Sequence, residues 1–363
     1  MRGLKKKCDL MRILEVSNFF YPKISGSSRY CYELSRRLAK KHEVKVITTQ
    51  YPKNLKKFEN IENMDVLRVK SLGLGWNISS LSFIIPELAK EVKNYDFVHL
   101  HSYLFLISNQ TGFLRVFKKF PLYLHLHGGM DIPSLKGFKP AFKKYLYDPL
   151  MKNFMVKVSD KILSISKKDI SGMKNAFWVP NGVEIRNFPF IKRNPEKLNI
   201  GYIGRLEEWK GVKSLPYIIK KVKKREDINF HIVGDGPLRS YLEERCEARF
   251  YGTVPFSEIP EVFKKIDVLL LPSWIEGVPT VILEAFSSGC PVIARDVGSV
   301  SELVSEESGF LVNKDEEFVE KIIYLAQNKD LISKMGRNGR KIVEKCYSWE
   351  RVVEIFERVV KRN

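Results

Sequence analysis

Cysteine is scarce in this 363-residue chain, and what there is lies scattered. The five cysteines, at positions 8, 31, 246, 290 and 346, are odd in number and include no Cys-x-x-Cys pair. That argues against a disulfide framework and against a zinc knuckle, and for reduced, structural thiols. Long apolar runs are missing too. None approaches the length of a membrane span, and the stretch after Lys5-Lys6-Lys7 is broken by Asp9, Arg12 and Glu15, so no signal peptide is expected and a cytoplasmic protein is. Acidic residues are outnumbered, 42 against 62 lysines and arginines, for a net charge of +20. Such a charge draws a chain toward polyanions, or it is a lysine-rich surface that keeps the protein soluble. A polyanion-binding protein is one reading, but basic residues are spread along the whole chain without a nucleic-acid-binding signature, so no nucleic-acid partner is expected. A full dinucleotide fingerprint is also lacking, which argues against a nicotinamide or flavin cofactor.

What is present is alternation. Short apolar segments at 12–17, 44–48, 65–69, 97–101, 122–127 and 161–165 alternate with helical stretches, and a second series follows at 198–203, 229–233, 267–271, 291–294 and 309–312. Strands separated by helices predict parallel sheets with right-handed crossovers, and two series predict two doubly wound domains. The proline-interrupted segment 188–195 marks the break. Met11 is a natural start for the first strand, so residues 1–10 are expected to be a disordered extension or the product of a misassigned start, 11–190 a first domain and 191–346 a second.

The densest chemistry follows the apolar run 267–271. There Glu276-Gly277-Val278-Pro279-Thr280 leads toward Glu284, with Pro279 suited to the first position of a helix. A helix N-terminus presents unpaired N–H groups and positive potential, which suit a phosphate, and the two flanking carboxylates can accept from sugar or ribose hydroxyls. Arg205 and Lys210, just after the segment 198–203, can neutralise a diphosphate. Gly234, in Gly234-Asp-Gly-Pro237, clears space at another strand end, and Gly26 sits in a tight turn before a helix. Four of the six histidines form the pairs His99/His101 and His125/His127 at strand spacing. Acidic partners for a metal are sparse nearby, Asp131 being the nearest, so no metal is expected. One histidine reaching the cleft while the others pack or hydrogen-bond is the favoured pattern. The segment 136–168 carries nine lysines against Asp148 and Asp160, with apolar residues at helical spacing around an expected kink at Pro149. It suits either an anionic membrane surface or a domain helix with its apolar face in the core.

Taken in order, the Gly26 loop, His127-Gly, Val179-Pro-Asn-Gly-Val183, Gly204-Arg-Leu with Lys210-Gly211, Gly234-Asp-Gly-Pro237, Pro272-Ser273 with the two glutamates, and Gly289-Cys-Pro-Val-Ile-Ala294 resemble the family 4 retaining glycosyltransferases. The resemblance implies an α/β protein of the GT-B type, two facing Rossmann-like domains with the active site in the cleft between them, and a final helix over 347–363 that returns to the N-terminal domain. It implies transfer of a sugar from a UDP- or GDP-sugar to a lipid-linked, saccharide or other acceptor, with retention and without a bound metal or cofactor. Arg205 and Lys210 would hold the diphosphate, Glu284 the ribose and Glu276 the sugar, with N–H groups around Gly277, Val278, Pro279 and Thr280. Gly26 would let its loop approach the phosphates, and His127 would lie near the anomeric carbon. The chain has Gly26-Ser27 and Gly298-Ser299 where the family often has paired glycines. A nucleotide-sugar epimerase or hydrolase is the alternative on the same fold. An anionic acceptor and peripheral contact with the inner face of a membrane are further expectations.

Overall fold

The computed structural model describes residues 10–23, 26–72, 81–128 and 147–362. Two compact units emerge, one from the described residues of Met1–Gly129, Leu135–Val179 and Val353–Asn363, the other from Pro180–Val352. Of the expected extension over 1–10, only Leu10 is described, and it is exposed. Among the described residues no helix is long and apolar enough to cross a membrane.

The first unit carries β1 (Arg12–Ser17), β2 (Glu43–Thr49), β3 (Phe58–Ile61), β4 (Met64–Val69), β5 (Ser71–Leu72), β6 (Leu81–Ser82), β7 (Phe97–His101), β8 (Leu122–Leu126), β9 (Lys161–Ser164) and β10 (Ala176–Trp178). Eight of these form one sheet in the order β10-β9-β8-β7-β1-β2-β4-β3, parallel throughout except for β3 against β4. The strands near its centre are buried on both faces, as βαβ crossovers require, and so they read as continuous apolar runs. Leu14, Val16, Val98, Leu100, Leu122 and Leu124 share one core cluster. The residues between them point to the opposite face, where the register sets Glu15 beside His99 and His101 beside His125. Strand β3 has no counterpart among the expected strands. It returns through a turn in which Glu62 and Asn63 both adopt positive φ, 47° and 67°, the geometry of a tight hairpin, and no glycine announces it. Pro149 lies in the first turn of the helix Asp148–Val158, where its missing N–H costs nothing. The part of the basic stretch before Tyr147 lies outside the described residues.

The second unit orders its strands as β13 (Arg249–Gly252), β12 (Asn229–Val233), β11 (Asn199–Ile203), β14 (Val268–Leu271), β15 (Val292–Arg295) and β16 (Gly309–Val312), all parallel. This is the doubly wound order in which the chain reverses direction between β11 and β14, and such a reversal opens a crevice at the carboxyl ends of those two strands. Strand β13 is a half-exposed edge without a clear apolar run, and it too was not expected. The chain enters this unit at Pro180, ahead of the proline-interrupted segment. Phe188 is fully buried against the Phe263 ring, and Arg193 is buried as well, so that segment belongs to the second core. It leaves again within the helix Trp349–Val360, whose Phe356 meets the Phe97 and His99 rings of the first unit's sheet.

Two guanidinium groups, Arg193 buried and Arg340 part-buried, hold the carboxyl end of the helix Thr280–Ser287. Arg193 donates to the carbonyls of Phe263, Ser288 and Gly289 at 3.0–3.1 Å, and Arg340 donates to those of Phe188 and Ser287 at 2.9 and 2.6 Å. Both satisfy carbonyls that a helix end leaves unpaired and put positive charge where the dipole favours it. Arg193→Met is expected to leave the Phe263 and Gly289 carbonyls unsatisfied, Ser288 O keeping the Ile191 N–H, and to cost about 3 kcal/mol. Urea unfolding followed by tryptophan fluorescence checks this, because Trp209, Trp274 and Trp349 all lie in the second unit. An unchanged midpoint would contradict it.

Candidate functional site

At the chain reversal of the second unit, two loops meet. The loop after β11 carries Gly204, Arg205, the 3-10 turn Glu208–Lys210 and Gly211, while the loop after β14 carries Pro272 to Pro279. Lys210 Nζ lies 2.7 Å from Glu276 Oε1, with the carboxylate side chain only 6% exposed, and 4.3 Å from the centre of the Trp209 ring. Trp209 Nε1 donates to Glu207, which also pairs with the exposed Arg205, so the two cations of this loop are each matched by an acid. Gly211 makes the approach feasible. It takes φ 66°, and a Cβ there would stand 1.9 Å from the Pro272 carbonyl oxygen. Any side chain would push the two loops apart and separate Lys210 from Glu276.

Behind Glu276 the packing is equally close. Gly298, at φ 55°, would place a Cβ 1.9 Å from the Glu276 carbonyl oxygen, and Ser299 N–H donates to the Gly277 carbonyl at 3.2 Å. Asn181 Nδ2 donates to the Val278 carbonyl at 2.9 Å. Because a trans peptide points its N–H opposite its C=O, these contacts turn the N–H groups of Gly277 and Val278 away from the Gly298–Ser299 loop. Pro279 was expected as the first helical residue. It instead stands extended (ψ 117°) at the cap position, and the helix begins at the exposed Thr280. Having no N–H, Pro279 cannot donate to a ligand. Glu284, the fifth residue of that helix, is 8% exposed. Gly234 N–H donates to Gly252 O at 2.8 Å, and a Cβ there would strike the Gly204 carbonyl, so this glycine closes the β12 end onto the β11 loop.

Sequence reasoning passed over several neighbours. Ser273 is fully buried, its Oγ without a hydrogen-bond partner among the described residues. Arg295, at the end of β15, is buried, stacks 3.8 Å over the half-exposed Trp274 ring, pairs with Asp315 at 2.5 Å and donates to Pro272 O. The signal for Arg295 was its place at a strand's carboxyl end, the same signal that singled out Arg205.

In the first unit, Gly26 opens the helix Gly26–Leu38, and a Cβ at that position meets nothing within 4 Å. Packing within this unit therefore does not demand a glycine there. Gly129, Met130 and Asp131 lie outside the described residues. The four paired histidines do not disperse into packing roles. They join a single network whose acid is Glu15, supplied by β1 rather than by any residue near them in sequence. Glu15 Oε2 lies 2.8 Å from His101 Nε2 and 2.8 Å from His99 Nδ1, though only the first contact has hydrogen-bond alignment. His99 Nε2 meets His125 Nδ1 at 3.1 Å, and His101 Nδ1 meets His127 Nε2 at 3.0 Å. Tyr30 sets its ring edge-on to His125 and His127, 4.8 and 5.0 Å between centres. Among the described residues, donor atoms of His99, His101 and His125, and likewise of Glu15, Cys31 and His101, lie within 4.8 Å of one another. The separations of 2.8–3.1 Å are those of hydrogen bonds.

Burial raises the carboxyl of Glu15, but the adjacent His99 and the hydrogen-bonded His101 outweigh it and hold the group at about 2. Burial and the neighbouring His99 push His101 down to about 4, and His125 and the part-exposed His127 also move down. Because these imidazoles resist protonation only in the folded state, their contribution is complete above the ordinary histidine value of 6.5 and is lost as the pH falls toward 4. For His101 alone the loss is about 3 kcal/mol. Glu15 adds a second loss between 4.5 and about 2. Urea titrations across the acid range should show unfolding free energy falling below pH 6.5, and His101→Phe should flatten that slope. A wild-type stability level from neutral pH to 4 would refute the assignment.

Comparison with known proteins adds a family to this geometry. Residues 24–186 match the model described as Glycosyltransferase Family 4, and residues 197–328 match that described as Glycosyl transferases group 1. An uncharacterised glycosyltransferase of Methanocaldococcus jannaschii is 26% identical over 97% of this chain and 98% of its own. The Escherichia coli UDP-Gal:alpha-D-GlcNAc-diphosphoundecaprenol alpha-1,3-galactosyltransferase is 28% identical over 74% of this chain and 76% of its own. Among solved structures, Anabaena HepE in complex with UDP-glucose superposes with a TM-score of 0.73 at 18% identity, covering 97% of this chain and all of that one.

Proposed function

This chain belongs to the group 1, family 4 glycosyltransferases of the GT-B fold, and from that membership we propose that it moves a sugar from a nucleotide diphosphate donor to an acceptor hydroxyl, with retention at the anomeric carbon. The observation that carries the reading is the contact of Lys210 with Glu276 at the reversal between β11 and β14, beside the N-terminus of the helix Thr280–Ser287. The donor's diphosphate takes Lys210 and Arg205 from their carboxylate partners, and the freed Glu276 turns to the sugar. Glu284 accepts from the ribose hydroxyls. N–H groups of Gly277, Val278 and Thr280 add to the neutralisation of the leaving diphosphate, which therefore needs no divalent metal. The acceptor oxygen attacks the anomeric carbon on the face from which the phosphate departs. The carbon–phosphate-oxygen bond breaks as the new glycosidic bond forms, and the acceptor's proton passes to the departing phosphate. Gly26 and His127 of the first unit are assigned to the phosphates and to the anomeric centre. A uridine nucleotide is the favoured carrier, in line with the UDP-glucose held by HepE and the UDP-Gal named for the E. coli enzyme.

A lipid-linked acceptor suits the first unit's surface. The helix Leu106–Phe117 exposes Phe113, Val116 and Phe117, the last at 85%, and the Phe113 ring packs at a tilt against Phe154 of the helix Asp148–Val158, which exposes Leu150. Lys118, Lys119, Lys152 and Lys157 flank these residues. Exposed apolar side chains among lysines are the composition of a helix face that rests on anionic lipid. In this reading the protein is cytoplasmic and meets the membrane peripherally.

Lys210→Ala and Glu276→Gln are each expected to lower kcat by about 100-fold or more while leaving the circular dichroism spectrum unchanged. Transfer assays with UDP-glucose and other uridine and guanosine nucleotide sugars check this, and wild-type rates in both variants would discard the site. Phe117→Ser with Val116→Ser should abolish co-sedimentation with vesicles containing phosphatidylglycerol. Equal binding of the wild type to neutral and anionic vesicles would remove the membrane role.

A further inference from the structure

The polar face of the first unit's sheet holds more than a packed cluster. We propose that Glu15 and His101 are positioning residues whose hydrogen-bond chain fixes His127 with its proton on Nε2, so that Nδ1 stands as a bare acceptor for a hydroxyl of the bound sugar. The use of that acceptor on a sugar rests on the function proposed above; the chain of protons does not.

The direction of the chain follows from what each group can do. An ionised carboxylate only accepts, so the 2.8 Å contact between Glu15 Oε2 and His101 Nε2 requires the proton on His101 Nε2. A neutral imidazole carries one N–H, so His101 Nδ1 is then bare. The 3.0 Å contact from His101 Nδ1 to His127 Nε2 must therefore be bridged by a proton that belongs to His127. Reversing the chain needs a protonated Glu15, and the two imidazoles beside it hold that carboxyl at about 2. Glu15 and His101 are at most 1% exposed, so solvent does not offer substitute partners, and Tyr30 against the His127 ring opposes its rotation. Among the described residues, His127 Nδ1 has no hydrogen-bond partner, and His127 is the one imidazole of the four that is part-exposed. A bare Nδ1 accepts from a hydroxyl and repels a carboxylate. The arrangement therefore selects donors with a neutral hydroxyl over a uronic acid at the position it meets.

Histidine-labelled, deuterated full-length protein tests this by NMR coupling across the N–H···N bond, with assignments from His101→Gln and His127→Gln. The expected result is a downfield imidazole proton with one-bond coupling to His127 Nε2 and through-hydrogen-bond coupling to His101 Nδ1. In Glu15→Gln, whose amide can donate as well as accept, the proton should lose its single position. Turnover with UDP-glucose should then fall at least about tenfold with little change in donor KM. A proton bonded to His101 Nδ1 in the wild type overturns the proposal, as does wild-type kcat in Glu15→Gln. A wild-type chain that shows the coupling yet transfers no sugar upholds the proton chain and overturns its role toward a sugar.

Discussion

Backbone-to-backbone contact between the loops at the carboxyl ends of β11, β14 and β15 is the constraint on which the second unit's site depends. Gly211 lies against the Pro272 carbonyl and Gly298 against the Glu276 carbonyl, each so close that a Cβ would sit 1.9 Å from an oxygen. At these separations no rotamer change relieves a side chain, because the obstructing atom is main chain. The loops are therefore held at fixed spacing by what the glycines lack, and Lys210 reaches Glu276 as a result. The helix that starts at Thr280 is fixed from its other end by Arg193 and Arg340, so its N-terminus cannot drift from the loop that precedes it.

This frame also sets the electrostatics. Lys210 and Arg205 each have a carboxylate partner, so the loop carries its cations in compensated form. In the proposed function, a diphosphate competes with Glu276 and Glu207 for these cations rather than meeting bare charge. The first unit solves a different problem. It keeps a wholly buried carboxylate beside two imidazoles, one of which, His101, hydrogen-bonds it while burial holds that ring below its ordinary value, and burying a charge is tolerable only when hydrogen bonds replace water.

The strands of both sheets were legible where they are buried on both faces, because continuous apolar runs carry that signal. The edges were not. Strand β3 depends on a turn at Glu62-Asn63 that holds two non-glycine residues at positive φ, and β13 is short and half exposed. The loop after β14 was legible as chemistry, through Glu276 and Glu284, but its helix starts one residue later than Pro279 suggested, since Pro279 serves as the extended cap.

Spacing along the chain by itself determined which residues stand at strand ends: Arg205, Lys210, Gly234, Glu276 and His127 follow apolar runs, and the β period of two puts His99 with His101 and His125 with His127. Tertiary structure alone decided their partners. Glu15 and His101 are 86 residues apart, and Lys210 and Glu276 are 66 apart, so each contact exists only because parallel strands distant in sequence lie side by side. Strand order and register fix that adjacency, and they follow from how the crossovers pack over the whole sheet, a sum over many weak contacts that no local pattern encodes. The chain thus specified the chemical groups locally, while the sheet determined which of them meet.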